Sequence, residues 1–432
     1  MDRVLVKNVD QHVGEEVLLK GWMHNLRSSG RIWFIILRDG TGMIQGTAVK
    51  GEVPDEVFDK KDILKQESSL ELKGTIKKDD RAPGGYELSV TDLKPIQIPD
   101  EDYPISLKSH GVDFLMSNRH LWLRSEKQWA IQRVRHTVYY GITDYLNENN
   151  FIRFDSPILT PNACEGSTTL FKVPYFDQGA AYLSQSGQLY LEAGIMSMDR
   201  VYDFGPVFRA EKSHTRKHLT EFWMMDAEAA FVEHKQNMDI QEELIRYVIR
   251  KVLKDNKKEL EILERDIDAL EKANAPFKRM THAEVVEFLK SKGSEIDKKG
   301  DLGAQDEEIL TANSDVPVFI EKWPKETKAF YMKREKDNPD IVLGDDLIAP
   351  EGYGEIIGGS EREDDHDMLL SRMKEEDMDL DEYQWYLDLR KYGSVPHSGF
   401  GIGLERFVSW MCGIKHIRET IPMPRTIYRI EP

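Results

Sequence analysis

Cysteine is almost absent from this 432-residue chain: there are two, Cys164 and Cys412. That excludes a disulfide framework and a cysteine-based zinc centre, and it fits a reducing, cytoplasmic setting. Long apolar runs are also missing. No stretch approaches the roughly 20 residues that span a bilayer, so no membrane association is expected. The opening residues, MDRVLVKNVDQ, lack the basic-then-apolar order of a signal peptide. Positive charge is in the minority, 59 Lys and Arg against 77 Asp and Glu, for a net charge of −18. A protein that coats nucleic acid non-specifically needs the opposite balance, although local basic patches are compatible with this total. What is present is ordinary for a soluble globular protein: 40% apolar and 31% charged residues, and a length that holds two or more domains.

Residues 1–98 carry five short strand signals, at 16–24, 31–38, 43–49, 69–77 and 86–95, separated by Gly-, Asp- and Pro-bearing turns. Five such strands point to a small closed barrel of the OB type, a fold that stacks bases on exposed aromatics. Trp33, Phe34, Arg27, Arg31, Arg38 and Gln45 cluster in the second and third strands. Trp22 is assigned to the barrel core; Phe34 is left open between core and base contact.

Pro99, Pro104 and mixed charge make 99–126 read as a hinge. Trp129, Ile131, Val134, Val138, Ile142 and Leu146 then recur at helical spacing, and a strand ends at Pro157. Between 165 and 191 small polar groups are dense; Gln185, Ser186, Gly187 and Gln188 suit either a small-molecule pocket wall or a helix cap. The stretch 201–231 reads as two strands joined by a basic loop. Period-two alternation puts Phe222, Met224, Asp226 and Glu228 on one face, with Arg209 and Glu211 on the facing strand, and Lys212, His214, Arg216, Lys217 and His218 at the tip. This suits a polyphosphate on the face and nucleic acid at the tip; the alternative is a surface hairpin laced with salt bridges. A long helix over 239–272, a helix from Thr281 with Glu284 as a capping box, and strands at 316–320, 329–333 and 341–349 follow. Asp346 and Glu355, flanked by apolar residues and followed by Gly358 and Arg362, offer the hard oxygens that Mg²⁺ prefers. Two acidic helices fill 364–391. Last comes a glycine-alternating strand, 399–403, running into a helix with Arg406 in its first turn, where an anion is favoured. Its spacing is neither that of a Walker loop nor that of a dinucleotide fingerprint.

No serine, cysteine or histidine stands as a nucleophile beside a base, so the chemistry implied is electrostatic attack at phosphorus. Phe208-Arg209-Ala210-Glu211 with Glu221-Phe222, the segment 401–406, and the helix and strand ending at Pro157 together resemble the three motifs of the class II aminoacyl-tRNA synthetases. Over nearly the whole length, with 349–362 as a close match, the chain is similar to their asparaginyl branch. The HIGH and KMSKS signatures of the other class are missing. The resemblance implies an α+β protein: an OB-fold anticodon-binding barrel at 1–98, a hinge at 99–126, and a class II catalytic domain at 127–432, an antiparallel sheet flanked by helices with a mainly helical insertion at 234–313. It implies ATP and Mg²⁺, asparagine, tRNA(Asn) and a homodimer with Pro157 at its interface. Arg209 and Arg406 would be catalytic. ATP would meet Arg209, Glu211, Lys217, His218, Leu219, Phe222, Glu355, Gly403 and Arg406. The amino acid would meet Glu165, Gln185, Ser186, Gln188, Arg209, Asp226 and Arg362. Asp346, Glu355 and the Gly358 backbone would hold the metal. Arg27, Phe34, Gln45 and Glu87 would meet the anticodon, and the basic loop the acceptor end of the tRNA.

Aspartyl enzymes share this architecture but carry a lysine where this chain has Leu191, and asparaginyl enzymes usually carry Glu where it has Asp226. A carboxylate acceptor there suits an amide donor, and asparagine is the expected substrate. An aspartyl or non-discriminating ligase, an asparagine synthetase paralogue without the barrel, and an inactive RNA-binding paralogue are the alternatives.

Overall fold

The computed structural model describes residues 2–161, 163–164, 170–213 and 215–431. It divides into two compact units, Met1–Gly111 and Val112–Pro432.

In the first unit β1 (Glu16–Ser29), β2 (Ile32–Asp39), β3 (Gly42–Val49), β4 (Ser69–Lys78) and β5 (Tyr86–Gln97) close a barrel in the order β1-β2-β3-β5-β4, with a short α1 (Asp55–Phe58) after β3. All pairs are antiparallel except β3 with β5. The alternation seen in the sequence becomes the inside and outside of the wall. Trp33, Ile35, Leu37, Leu70, Leu72 and Leu88 fill the interior and are fully buried. Trp22 is a correction: it is 41% exposed, under the Arg38 guanidinium at 5.7 Å. Trp33, of opposite parity on the next strand, takes the core instead.

The second unit is built on an eight-stranded sheet. Its strands are β6 (Ile152–Arg153), β10 (Arg200–Phe208), β11 (Glu221–Ala230), β12 (Lys278–Thr281), β13 (Val318–Pro324), β14 (Ile341–Ala349), β15 (Gly354–Glu361) and β16 (His397–Gly403), in the order β12-β13-β14-β15-β16-β11-β10-β6. Only the outer pairs, β6 with β10 and β12 with β13, are parallel. A small side sheet joins β7 (Leu159–Thr160), β8 (Lys172–Pro174) and β9 (Ala180–Leu183) in the order β7-β9-β8.

Two short helices, α2 (Val112–Ser117) and α3 (Arg119–Trp122), lead into α4 (Glu126–Glu148), which the Ser125 side chain caps by accepting the Gln128 N–H. Then come α5 (Gln188–Met198), α6 (His234–Asp255), α7 (Lys257–Ile262), α8 (Ile267–Ala273), α9 (His282–Ser291), α10 (Ala304–Thr311), α11 (His366–Glu375), α12 (Gln384–Lys391) and α13 (Leu404–Cys412). The apolar stripes of α4 (Ile131, Val134, Val138), α6 (Leu244, Ile245, Val248) and α13 (Phe407, Trp410) meet Met225, Ala227 and Ile357 of the sheet in one core. Each such side chain, fully buried, contributes on the order of 1.5–3 kcal/mol. Met224 and Asp226, of opposite parity on β11, are left to the other face.

Several expectations change. The stretch 112–126 is not hinge. Arg119 is fully buried there and donates to the carbonyls of Glu419 (3.1 Å), Ile421 (2.8 Å) and Pro422 (2.8 Å), locking it to the end of the chain. The helix expected over 239–272 is three helices, broken at Asn256 and again after Leu263. The stretch 234–313, expected as a mainly helical insertion, carries α6 to α10, with α6 in the main core and β12 extending the sheet. Residues 329–333 form no strand; Met332 makes one isolated bridge to Arg362. The capping box at Thr281 and Glu284 is present as expected.

Candidate active site

The free face of the sheet carries a cavity of about 440 Å³. β10 and β11 pair so that Val207 lies opposite Phe222 and Asp203 opposite Asp226, and the chain beyond β10 carries Arg209 and Glu211 to the rim. The expected nucleotide residues Arg209, Glu211, Lys217, His218, Leu219, Phe222, Glu355, Gly403 and Arg406 all line this one cavity. So do Ser186, Gln188, Asp226, Arg362, Asp346 and Gly358. Gln185 sits just behind the wall, where its Oε1 accepts the Cys164 N–H at 3.1 Å. Glu165 and His214 lie outside the described residues.

At one end the Arg209 guanidinium lies 5.6 Å from the Phe222 ring centre. Across from it Arg406 Nη1 donates to the Glu355 carbonyl (3.0 Å) and meets its carboxylate at 3.4 Å. Lys217 pairs with Glu307 at 2.9 Å. Burial and the nearby Arg406 lower the proton affinity of His218. A second cavity of about 680 Å³ shares Lys217, Arg406 and Ile417 with the first.

The groups around Gly358 fit a divalent cation. A side chain placed on Gly358 would lie 3.4 Å from Glu355 Oε1 and 3.9 Å from Asp346 Oδ1, so both carboxylates face the space above that glycine. The other Asp346 oxygen accepts from Lys328 at 2.5 Å, and Lys328 rests on the Trp323 ring at 3.9 Å. Burial raises the Asp346 carboxyl to about 7, against the opposing pull of Lys328. Two hard oxygens around a glycine, open toward the cavity, fit Mg²⁺ completed by phosphate oxygens.

At the other end Asp226 Oδ2 accepts the Ser186 hydroxyl (2.8 Å) and the Gly187 N–H (2.9 Å), which fixes the turn into α5. Beyond it Glu228, fully buried, faces Arg362: Nε donates at 3.0 Å to one oxygen and Nη2 at 2.9 Å to the other. Burial works against the Arg362 charge, and Glu228 more than offsets it, so the guanidinium holds its proton more tightly than usual. The glycine alternation of β16 now has a cause. A Cβ on Gly399 would lie 1.9 Å from Glu228 Oε2, and one on Gly401 2.5 Å from Asp226 Oδ1. These glycines make room for the carboxylates of the neighbouring strand.

On the barrel, strand register brings the four expected anticodon residues together. Arg27 lies opposite Phe34, with its guanidinium 5.7 Å from the ring centre, and Gln45 lies opposite Glu87 and donates to it at 2.7 Å.

A family model for class II tRNA synthetases (D, K and N) matches residues 111–427, and one for the OB-fold nucleic acid binding domain matches 17–96. The chain belongs to the class II tRNA synthetases. It is 52% identical over 432 residues to the asparagine–tRNA ligase of Pelotomaculum thermopropionicum, covering 100% of both chains. It is 49% identical over 437 residues to that of Thermus thermophilus, again with 100% of both chains covered. Among solved structures, the asparaginyl-tRNA synthetase from Pyrococcus horikoshii complexed with asparaginyl-adenylate superposes with a TM-score of 0.96, at 44% identity and with 100% of both chains covered.

In this synthetase three buried groups at or behind the cavity carry no role in the sequence-based expectations. Glu228 had a signal, since it shares the β11 face with Asp226 at period two. Lys328 had none, because a short 3₁₀ turn at Lys325–Thr327 carries it to Asp346 at the cavity wall. Glu192 was hidden in the apolar-looking run of α5, where it is fully buried.

Proposed function

We infer that the protein is an asparagine–tRNA ligase, which joins asparagine to ATP as asparaginyl-adenylate and pyrophosphate and passes the asparaginyl group to the 3′ end of tRNA(Asn). The observation that carries this is the joint lining of one cavity by Asp226 of β11, Glu355 of β15, Arg406 of α13, and Arg209 and Arg362, which directly follow β10 and β15. The full-length likeness to proteins named asparagine–tRNA ligase supports it.

In this reading Phe222 stacks under adenine, Glu211 reads its amino group and Arg406 covers the other side and grips the γ-phosphate. Arg209 holds the asparagine carboxylate against the α-phosphate. A carboxylate oxygen attacks the α-phosphorus as the bond to pyrophosphate breaks, and the fixed guanidinium is worth most where charge builds up on the phosphoryl oxygens. Asp346, Glu355 and the Gly358 backbone hold Mg²⁺, which offsets phosphate charge when bound. Ser186, Gln188, Asp226 and Arg362 hold the amino acid, with Glu165 and Gln185 beside them. Where aspartyl enzymes place a lysine, Leu191 is fully buried among Ile195, Val201 and Ala230, so no cation meets a side-chain carboxylate there. The basic loop receives the tRNA acceptor end, and Arg27, Phe34, Gln45 and Glu87 its anticodon.

ATP–pyrophosphate exchange tests the reading. Asparagine should drive exchange and aspartate should not, and Arg209→Ala should abolish it in a folded protein. Exchange driven by aspartate alone would make this an aspartyl enzyme.

The same reading makes the protein a cytoplasmic homodimer. No helix among the described residues is long and apolar enough to cross a membrane, and both cysteines are buried. Ile152, Ile158 and Leu159, 45–49% exposed, flank Pro157 beside the sheet edge at β6 and form the surface for a second copy. Light scattering should report twice the chain mass; a monomer at micromolar concentration would remove this surface from the proposal.

A further inference from the structure

Behind the amino-acid end of the cavity lies a buried ion network. Glu192 follows Gln188 by one turn of α5 and is fully buried. Its Oε1 accepts from the Tyr386 hydroxyl at 2.6 Å and from the side-chain amide of Gln188. Its Oε2 accepts from Arg390 at 2.5 Å and faces His397 Nε2 at 3.0 Å. Arg390 also donates to the Glu363 carbonyl at 2.9 Å, and His397 Nδ1 meets the Val395 carbonyl at 2.7 Å. Glu192, Glu228 and His397 bring ligand atoms within 4.8 Å of one another, a spacing compatible with a metal. The arginines decide otherwise: Arg390 holds Glu192 and Arg362 holds both oxygens of Glu228, so a cation would sit against two guanidinium groups. Burial opposes the Glu192 charge, but Arg390 and His397 hold the carboxyl at about 2, so it is ionised at neutral pH.

We propose that Glu192 is a positioning residue for amino-acid selection: it pins the Gln188 side chain with its NH₂ turned into the protein and its Oε1 toward the substrate. This rests on the reading of that end of the cavity as the asparagine site. An amide has a donor end and an acceptor end, and its partners decide which way it points. An ionised carboxylate only accepts, so Gln188 must give it the NH₂. The other end, Oε1, accepts from the Cys164 thiol at 3.4 Å, and Gln188 itself lines the cavity. The second lone pair of Oε1 is then what Gln188 offers the pocket, an acceptor and not a donor. That favours a substrate donor, ammonium or amide NH₂, and disfavours a carboxylate oxygen. The orientation is set one turn away, by a residue that never reaches the substrate.

Glu192→Gln tests this. Its oxygen would stay with Arg390 and His397, and its NH₂ would face Gln188. Gln188 would then flip and point its own NH₂ into the pocket. In exchange assays KM for asparagine should rise roughly 10- to 100-fold, the cost of turning a hydrogen bond into a donor–donor contact, while KM for ATP stays put. The double variant Glu192→Gln/Gln188→Glu keeps the charge count and restores an acceptor whichever way the side chain turns, so it should recover KM for asparagine to within a few-fold. An unchanged KM for asparagine in a folded single variant overturns the proposal. So does an equal loss for both substrates without rescue. If the single variant does not fold, neutron diffraction on the wild-type protein decides: deuterons on the Gln188 nitrogen pointing at Glu192 support it, and deuterons pointing into the cavity overturn it. Absence of asparagine-dependent exchange by the wild-type enzyme would instead sink the function reading, so the two failures are distinct.

Discussion

Asp203 and Asp226 face each other across β10 and β11 and cannot both be charged cheaply. Burial, then the charge of Asp226, raise the Asp203 carboxyl to about 8, against a hydrogen bond from Ser156. The folded protein thus holds a proton that the unfolded chain releases near the usual value of 3.8. This contribution to stability is greatest below that value and is lost as pH rises through about 8. Asp203→Asn removes the titration. The melting temperature of the variant relative to wild type should therefore climb between mildly acidic and alkaline buffers; a difference independent of pH would count against a protonated Asp203. At the cavity Asp226 accepts from the Ser186 hydroxyl and the Gly187 N–H.

Among the elements, β16 shows how far one strand can be tuned to its neighbour. Gly399 and Gly401 leave space for Glu228 and Asp226, whereas a side chain on Gly403 would meet nothing within 4 Å. Gly399→Ala would also bring a methyl group 2.4 Å from the Ala227 carbonyl, so backbone has to shift along with Glu228. It should cost roughly 1–3 kcal/mol, as overpacking does, while Gly403→Ala should leave chemical denaturation nearly unchanged. Equal midpoints for the two variants would mean that β16 accommodates its neighbour without close contact. Contacts of α3 show why 112–126 is not a hinge. Composition marked 99–126 as linker, but Arg119 binds carbonyls roughly three hundred residues away, and no local pattern encodes such a partner.

The whole molecule separates its tasks. The cavity lies within one compact unit and the Arg27–Phe34 face within the other. Phe34→Ala should therefore raise KM for tRNA in the aminoacylation reaction, since stacking a base is worth roughly 1–3 kcal/mol, and leave tRNA-independent pyrophosphate exchange as it was. A parallel loss in exchange would show that the barrel face matters to the activation chemistry itself.

Local pattern was enough for much of this. Period-two alternation marks the barrel strands and the charged face of β11, helical spacing marks α4, and the Thr281 and Glu284 pair marks the start of α9. Those signals are local, because side-chain direction follows from backbone period alone. That the residues proposed for nucleotide and metal line one cavity was legible for a related reason: glycines, arginines and acids crowd into short stretches that read as chemistry before any fold is known. Tertiary structure decided the rest. Trp22 turned outward because Leu19 and Met23, of opposite parity on the same strand, fill the barrel. Lys328 reached Asp346 through a turn without a sequence signature. Glu192, in an apolar-looking helix, became the centre of a buried ion network because Tyr386, Arg390 and His397 arrive from distant parts of the chain. A buried charge is defined by its partners, and partners brought together only by folding are not written in any one segment.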